Sequence, residues 1–365
     1  MHRAANPLCR RDVKARQLDS VPNDGGDSLA LKVAINGFGR IGRNFVRARV
    51  QRGGEFDLVA VNDLAAPEIL AHLLRYDSTH GRLEDVQVEG DEIRVDGDSF
   101  KVLAEREPAK LPWRDLEVDV VVESTGLFTA RDGAEQHLQA GAKKVLISAP
   151  ATDPDITLVM GVNDDGYDKE QHNIVSMASC TTGSVGPMAR LLLDNFGIES
   201  GFMTTIHAYT SEQQLQDQVA MTRKGKPDLR RMRSAALNIV PASTGAARAI
   251  GEVIPELKGK LDGMAMRVPV PDGSVTDLVC VLGRTASADD VNDVFRQAAA
   301  EDRWREVLQY TEDPIVSSDI VGNSHSCIID GLSTMAHDNQ VKVIGWYDNE
   351  WGYSCRLVDL IPKLF

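Results

Sequence analysis

The segment Asn36-Gly37-Phe38-Gly39-Arg40-Ile41-Gly42 constrains this chain more than any other feature. Its G-x-G-x-x-G spacing sits between a short run of β-formers, residues 31–36, and a helix-forming stretch over 40–52 that stops at Gly53-Gly54. In that context each glycine has a task. Gly37 permits the tight turn, Gly39 puts no side chain in the way of a pyrophosphate, and Gly42 lets helix and strand approach closely. The helix start offers unpaired N–H groups and partial positive charge to phosphates. Asp63 follows Gly42 by 21 positions and closes a second predicted strand over 56–62. A carboxylate there accepts hydrogen bonds from ribose hydroxyls and repels a 2′-phosphate, which predicts NAD over NADP.

Further strands are expected over 119–124 and 144–148, with a helix over 134–142 between them. Strands alternating with helices imply a parallel sheet with crossovers. Ser124, Thr125 and Ser148 lie at the ends of these strands and join the cofactor candidates. Beyond residue 180 the texture changes. Helices are predicted over 184–196, 234–251 and 288–300, separating β-rich runs over 201–210, 262–282 and 340–346. The fold class is therefore an α/β Rossmann-type dinucleotide-binding domain plus an α+β catalytic domain with a mixed or antiparallel sheet. Residues 1–30, basic and then rich in Asp, Asn and Gly, read as a disordered tail without the apolar core of a secretory signal.

The formal charge of −14 disfavours non-specific nucleic-acid binding. No apolar run has the roughly 18 residues that a membrane helix needs. The cysteines are few and odd in number (Cys9, Cys180, Cys280, Cys327 and Cys355), and none forms a CxxC pair. That pattern argues against a disulfide scaffold and against zinc, and is read as a reduced, cytoplasmic protein. Most of these cysteines are expected to be small buried hydrophobes. Cys180 differs: it is flanked by Ser179, Thr181 and Thr182 and precedes a helix, where the dipole and local N–H groups stabilise a thiolate. His207, in Thr204-Thr-Ile-His-Ala-Tyr-Thr210, is the candidate base.

Several segments together resemble the phosphorylating glyceraldehyde-3-phosphate dehydrogenase family: 36–42, Leu73-Leu-Arg-Tyr-Asp-Ser-Thr-His-Gly81, Ala178-Ser-Cys-Thr-Thr182, 204–210, Gly263-Met-Ala-Met-Arg-Val-Pro269 and Trp346-Tyr-Asp-Asn-Glu-Trp-Gly-Tyr-Ser354. The resemblance runs from about residue 31 to the C-terminus. It implies that Cys180 is the nucleophile and His207 its base, and that Asn349 holds the nicotinamide carboxamide with Tyr353 beside it. It implies that Thr210 and Arg267 receive the substrate's phosphate, and that Ser179, Thr181, Arg231, Thr244 and Gly245 receive inorganic phosphate. Arginine suits both tasks, because it binds phosphate oxygens in pairs and keeps its proton. The family further implies an NAD(P)-binding domain over 31–179 completed by a C-terminal helix over 349–365, a catalytic domain over 180–348, and a homotetramer.

The chain departs from the family pattern in two places. Gly183 and Ser184 stand where Asn and a second Cys usually follow Cys-Thr-Thr. In the next loop Ser211-Glu212-Gln213 replaces Asn-Asp-Gln, Gln218-Val219 replaces a frequent Leu-Pro, and the basic stretch 220–226 is longer than usual. Arg223, Lys224 and Lys226 there could serve NADP, against Asp63. Two rival readings are an erythrose-4-phosphate dehydrogenase and a catalytically weak binding paralogue.

Overall fold

Val33 to Asn36 are all buried, and their strand is flanked on both sides by parallel neighbours. A strand covered on both faces is apolar along its buried length, which is why Val33, Ala34 and Ile35 show no alternation. The computed structural model describes residues 30–221 and 225–365, of which Leu31–Phe365 form one unit. The first sheet contains β1 (Leu31–Asn36), β2 (Phe56–Asn62), β3 (Gln87–Glu89), β4 (Glu92–Val95), β5 (Asp98–Leu103), β6 (Val120–Glu123), β7 (Lys144–Ile147), β8 (Ile156–Thr157) and β9 (Ile174–Ser176). Their order is β8-β9-β7-β6-β1-β2-β5-β4-β3. Pairings from β8 through β5 are parallel, and β4 and β3 add an antiparallel edge. The strand order reverses between β1 and β6, and ligands of such sheets bind beyond the strand ends at that reversal.

Helix α1 (Arg40–Arg52) has the predicted bounds, α2 spans Pro67–Arg75, and α3 (Arg131–Gln139) lies three residues earlier than its pattern suggested. Helix α4, which opens on the candidate nucleophile, spans Cys180–Phe196, so it starts four residues before the predicted 184. Thr181, Thr182 and Gly183 are weak helix formers, but Ser179 caps the helix by accepting the Thr182 N–H at 3.1 Å.

The second sheet contains β10 (Ile198–Ala208), β11 (Val240–Ser243), β12 (Leu261–Val268), β13 (Ser274–Leu282), β14 (Leu308–Thr311), β15 (Cys327–Asp330), β16 (Met335–His337) and β17 (Gln340–Tyr347). Seven run in the order β11-β12-β10-β13-β17-β15-β14, with β16 also on β17, and the pairing is mixed. Two sequence expectations are corrected here. The helix expected over 234–251 is a turn, then β11, then α5 (Ala246–Val253). Pro241 lacks the N–H that a helix interior uses and disfavours helical geometry in the residue before it. The single run 262–282 is two strands, broken where Pro269, Pro271 and Gly273 (φ +85°) cannot continue a ladder.

Helix α6 (Ala288–Ala298) opens on a capping box in which Ser287 and Asp290 exchange hydrogen bonds. Helix α7 (Trp351–Leu360) is almost wholly buried, and it packs on α1 at the opposite end of the chain. One apolar core runs without interruption from Val33 to Leu364 and touches both sheets. No helix among the described residues is long and apolar enough to cross a membrane. The tail 1–29 and the predicted Arg223 and Lys224 lie outside the described residues.

Candidate active site

Cys180 is the first residue of α4, and of the described cysteines it alone is not fully buried. Cys280, Cys327 and Cys355 are the small buried hydrophobes that were expected. The residue two before Cys180, Ala178, has φ +50°. That left-handed conformation costs a residue with a side chain on the order of 1–2 kcal/mol. The Tyr353 hydroxyl of α7 donates to the Ala178 carbonyl at 3.2 Å and so helps to hold the strained peptide.

The Cys180 Sγ lies 3.5 Å from His207 Nε2. His207 Nδ1 is 2.7 Å from the Ala208 carbonyl oxygen. Nε2 is the ring nitrogen that faces the thiol, while Nδ1 lies between an acceptor, the Ala208 carbonyl, and a donor, the Arg267 guanidinium. Parallel register between β10 and β12 pairs His207 with Arg267, 60 positions away in sequence. The Arg267 guanidinium donates to the Ala208 carbonyl at 3.0 Å and lies 2.9 Å from His207 Nδ1.

Burial pushes the Cys180 thiol up to about 11, opposed by Arg267 and the hydrogen bonds of Thr181. Burial, and next the Arg267 cation, push His207 down to about 3. Neither group charges readily by itself. Passing the proton from Sγ to Nε2 creates two opposite charges 3.5 Å apart, at a helix start and beside an arginine. Each charge then offsets the burial cost of the other.

The arginines converge on one carboxylate. Glu212 Oε1 lies 3.3 Å from Arg231 Nη2, 3.4 Å from Arg267 Nη2 and 3.5 Å from Thr210 Oγ1. Three groups expected on phosphate thus meet the loop's own anion. Arg231 also donates to Asp228 at 3.2 Å. Thr244 Oγ1 accepts the Ala246 N–H at 3.2 Å, and Gly245 caps α5. The Ser179 hydroxyl meets Thr182 Oγ1 at 2.8 Å. The Thr181 hydroxyl is turned inward to Tyr347 at 2.8 Å.

At the glycine loop, the backbone leaves no room for substitution at two positions. A Cβ on Gly37 (φ +96°) would lie 2.6 Å from Thr125 N, and one on Gly42 would lie 2.3 Å from the Gly37 oxygen. Gly39 has nothing within 4 Å of its Cβ position, so this side of the turn is open to a ligand. Asp63 Oδ2 accepts the Phe38 N–H at 2.9 Å, which ties the second strand's acid to the loop. Phe38 itself is buried edge-on against Phe100. Ile41 is half-buried against the core.

Arg40 turns its guanidinium to Asp77 and Glu350, which leaves its position at the helix start as its link to the loop. Asn36 donates to Glu123 at 2.6 Å and accepts from Asn62 at 2.7 Å. Ser148 Oγ meets Ser124 Oγ at 3.0 Å, and the Thr125 N–H donates to Glu123 at 2.8 Å. The glycine loop, Asp63, Ser124, Thr125 and Ser148 therefore share the carboxyl ends of β1, β2, β6 and β7, and together they suit a dinucleotide. Asn349 Oδ1 accepts the Ser274 hydroxyl at 2.6 Å, which fixes the amide's orientation.

Sequence reasoning missed four supports of this site. Tyr347 binds both Thr181 and Thr205, the latter at 2.7 Å. Ser274 braces Asn349 and accepts the Ala208 N–H at 3.1 Å. Glu123 accepts from Asn36, Thr125 and His137, the last at 3.1 Å. Glu212 bridges the arginines. Glu123 carried a signal, since it is an acid closing an otherwise apolar strand; Tyr347 lay inside a motif already singled out.

Two family models match the chain. Residues 31–131 match the glyceraldehyde 3-phosphate dehydrogenase NAD binding domain, and residues 179–349 match the C-terminal domain of the same family. Among similar proteins, glyceraldehyde-3-phosphate dehydrogenase 2 of Streptomyces avermitilis is 56% identical over 334 residues, 91% of this chain and 98% of that protein. The glyceraldehyde-3-phosphate dehydrogenase of Mycolicibacterium smegmatis is 58% identical over 341 residues, and that of Mycobacterium tuberculosis (strain ATCC 25618 / H37Rv) is 59% identical over 340, with the same shares covered.

Proposed function

The chain belongs to the glyceraldehyde-3-phosphate dehydrogenase family, NAD-dependent oxidoreductases, and we propose that it oxidises D-glyceraldehyde 3-phosphate on Cys180 and releases it as 1,3-bisphosphoglycerate. The observation that carries this reading is the 3.5 Å approach of Cys180 Sγ to His207 Nε2 beside Arg267.

His207 takes the thiol proton as Cys180 attacks the aldehyde carbon, giving a hemithioacetal. The imidazolium and the N–H groups at the start of α4 face the oxygen that carries the developing charge. Once it has returned that proton, His207 takes the hemithioacetal hydroxyl proton, and the C–O bond becomes a carbonyl. The glycine loop, Asp63, Ser124, Thr125, Ser148, Asn349 and Tyr353 would hold NAD, which would supply the acceptor for the hydride lost from that carbon. Inorganic phosphate, gathered by Arg231 with Ser179, Thr181, Thr244 and Gly245, then attacks the thioester. The C–S bond breaks, the Cys180 thiolate is regenerated, and the acyl phosphate leaves. Thr210 and Arg267 hold the phosphate that the substrate brings.

We take 31–179 with 349–365 as the NAD-binding domain and 180–348 as the catalytic domain, supported by the packing of α7 on α1. Asp63 favours NAD over NADP. The assembly is read as a homotetramer, supported by exposed Leu215, Val219, Leu229, Leu237 and Ile239 crowded into one loop region, and the sparse, unpaired cysteines support a reduced, cytoplasmic setting. Light scattering giving four chain masses checks the assembly.

The functional test is reduction of NAD, and separately NADP, with glyceraldehyde 3-phosphate, with and without inorganic phosphate. Phosphate-dependent NAD reduction is expected, and Cys180→Ser abolishes turnover while leaving NAD binding intact. Turnover by the serine variant, or reduction indifferent to phosphate, contradicts the scheme.

A further inference from the structure

Ser274 takes no part in the proposed chemistry, yet its hydroxyl joins two of the elements that carry the site. It is fully buried at the start of β13. That strand lies between β10, which carries His207, and β17, which leads to Asn349. In the antiparallel register Ser274 stands opposite Tyr347, two residues before Asn349. The turn ahead of it is pinned: Gly273 has φ +85°, and a Cβ there would lie 2.3 Å from the Ser317 carbonyl oxygen.

A serine hydroxyl has one proton to give, and its oxygen can also accept. Ser274 Oγ accepts the Ala208 N–H at 3.1 Å and lies 2.6 Å from Asn349 Oδ1. That separation suits O–H···O and is short for an amide N–H donor. A buried hydroxyl proton without an acceptor is costly, and Oδ1 supplies the acceptor. With the amide turned over, Nδ2 would face the serine and leave that proton unpaired. The carbonyl end of Asn349 is therefore taken. Among the described residues no acceptor meets its Nδ2, so Asn349 offers a ligand hydrogen-bond donors only.

We infer that Ser274 is a positioning residue for the cofactor: by holding Asn349 as a donor, it makes the site read the nicotinamide carboxamide through its oxygen. This rests on the reading of Asn349 as the residue that receives that carboxamide. A carboxamide has an acceptor end and a donor end, and only the acceptor end matches Nδ2. The same serine oxygen holds the N–H of Ala208, whose carbonyl meets His207 Nδ1 and the Arg267 guanidinium. The aim of the amide and the placement of the base thus share one buried oxygen.

The test is calorimetric titration of the full chain with NAD and, separately, with ADP-ribose, which keeps the phosphates and riboses and lacks the nicotinamide. Ser274→Ala frees an amide that must then be ordered on binding. Its Kd for NAD is expected to rise roughly three- to tenfold, while its Kd for ADP-ribose stays within about twofold. Retained ADP-ribose binding also shows that the variant is folded. If Ser274→Ala does not fold, Ser274→Cys, which nearly keeps the volume and weakens the hydrogen bonds, is read by the same criterion. Equal losses for both ligands show a general structural role and overturn the proposal. Asn349→Ala separates the inference from the reading beneath it. If it weakens NAD selectively and the Ser274 variant does not, the inference alone falls; if Asn349→Ala spares NAD, both fall. In the Asn349→Ala background Ser274→Ala is expected to add nothing to the loss of NAD affinity. A further loss of the same size shows that the serine acts by another route, and overturns the proposal.

Discussion

Glu212 meets both arginines proposed to bind phosphate, and replacing it with glutamine tests whether that contact weakens phosphate binding. Its Oε1 is 3.3 Å from Arg231 and 3.4 Å from Arg267, and its side chain is 43% exposed. Exposure limits each contact to about 0.2–1 kcal/mol. Two contacts that an incoming anion must displace therefore oppose binding by roughly 0.5–1.5 kcal/mol. Glu212→Gln keeps the size and removes the charge, so phosphate affinity should rise roughly two- to tenfold. The assay is steady-state NAD reduction, reading KM for inorganic phosphate and for glyceraldehyde 3-phosphate separately. Arg231 and Arg267 are proposed for different phosphates, so both constants should fall, with kcat changed little. Constants that stay fixed or rise would refute the reasoning. They would show that Glu212 aims the arginines and does not compete for them.

Two further outcomes are expected. In His207→Asn the thiol loses its proton acceptor while burial still holds it up towards about 11, so its ionised fraction at pH 7 is on the order of one part in 10⁴. Alkylation of Cys180 in that variant should rise about tenfold per pH unit from 7 to 10, whereas the parent reacts readily at pH 7; equal rates at pH 7 would exclude the pair. Gly183 lies inside α4, and a Cβ there would meet only Ser326 Cβ, at 4.0 Å. Gly183→Ala should stabilise by about 0.5–1 kcal/mol and raise the melting temperature by about 1–3 °C; a lower melting temperature would show that the position is not open.

The first half of the fold was legible because its signals are local. A strand, a glycine turn and a helix follow one another within residues 31–62, and α1 has the bounds that the pattern assigned. The second half was less so. Pro241 was overlooked inside a helical pattern, and the turn between β12 and β13 was hidden in a β-rich run. Cys180 and His207 were singled out by their local contexts, and the structure sets them 3.5 Å apart. That His207 stands against Arg267 depends on the register of two strands 60 positions apart, and no local pattern encodes that. Glu212 was illegible for the same reason: a carboxylate's task depends on which cations the fold brings to it.

The hydroxyl that Tyr353 places on the Ala178 carbonyl has a bearing on the order of events during synthesis. Every residue of the Cys180–His207–Arg267 group has been made long before Tyr353 is added, yet the contorted peptide ahead of Cys180 is held by a residue 175 positions after Ala178. A chain in which α7 has not yet packed on α1 therefore carries Cys180, His207 and Arg267 without the brace behind the strained peptide. The surroundings of that thiol are completed by a contact made far along the sequence.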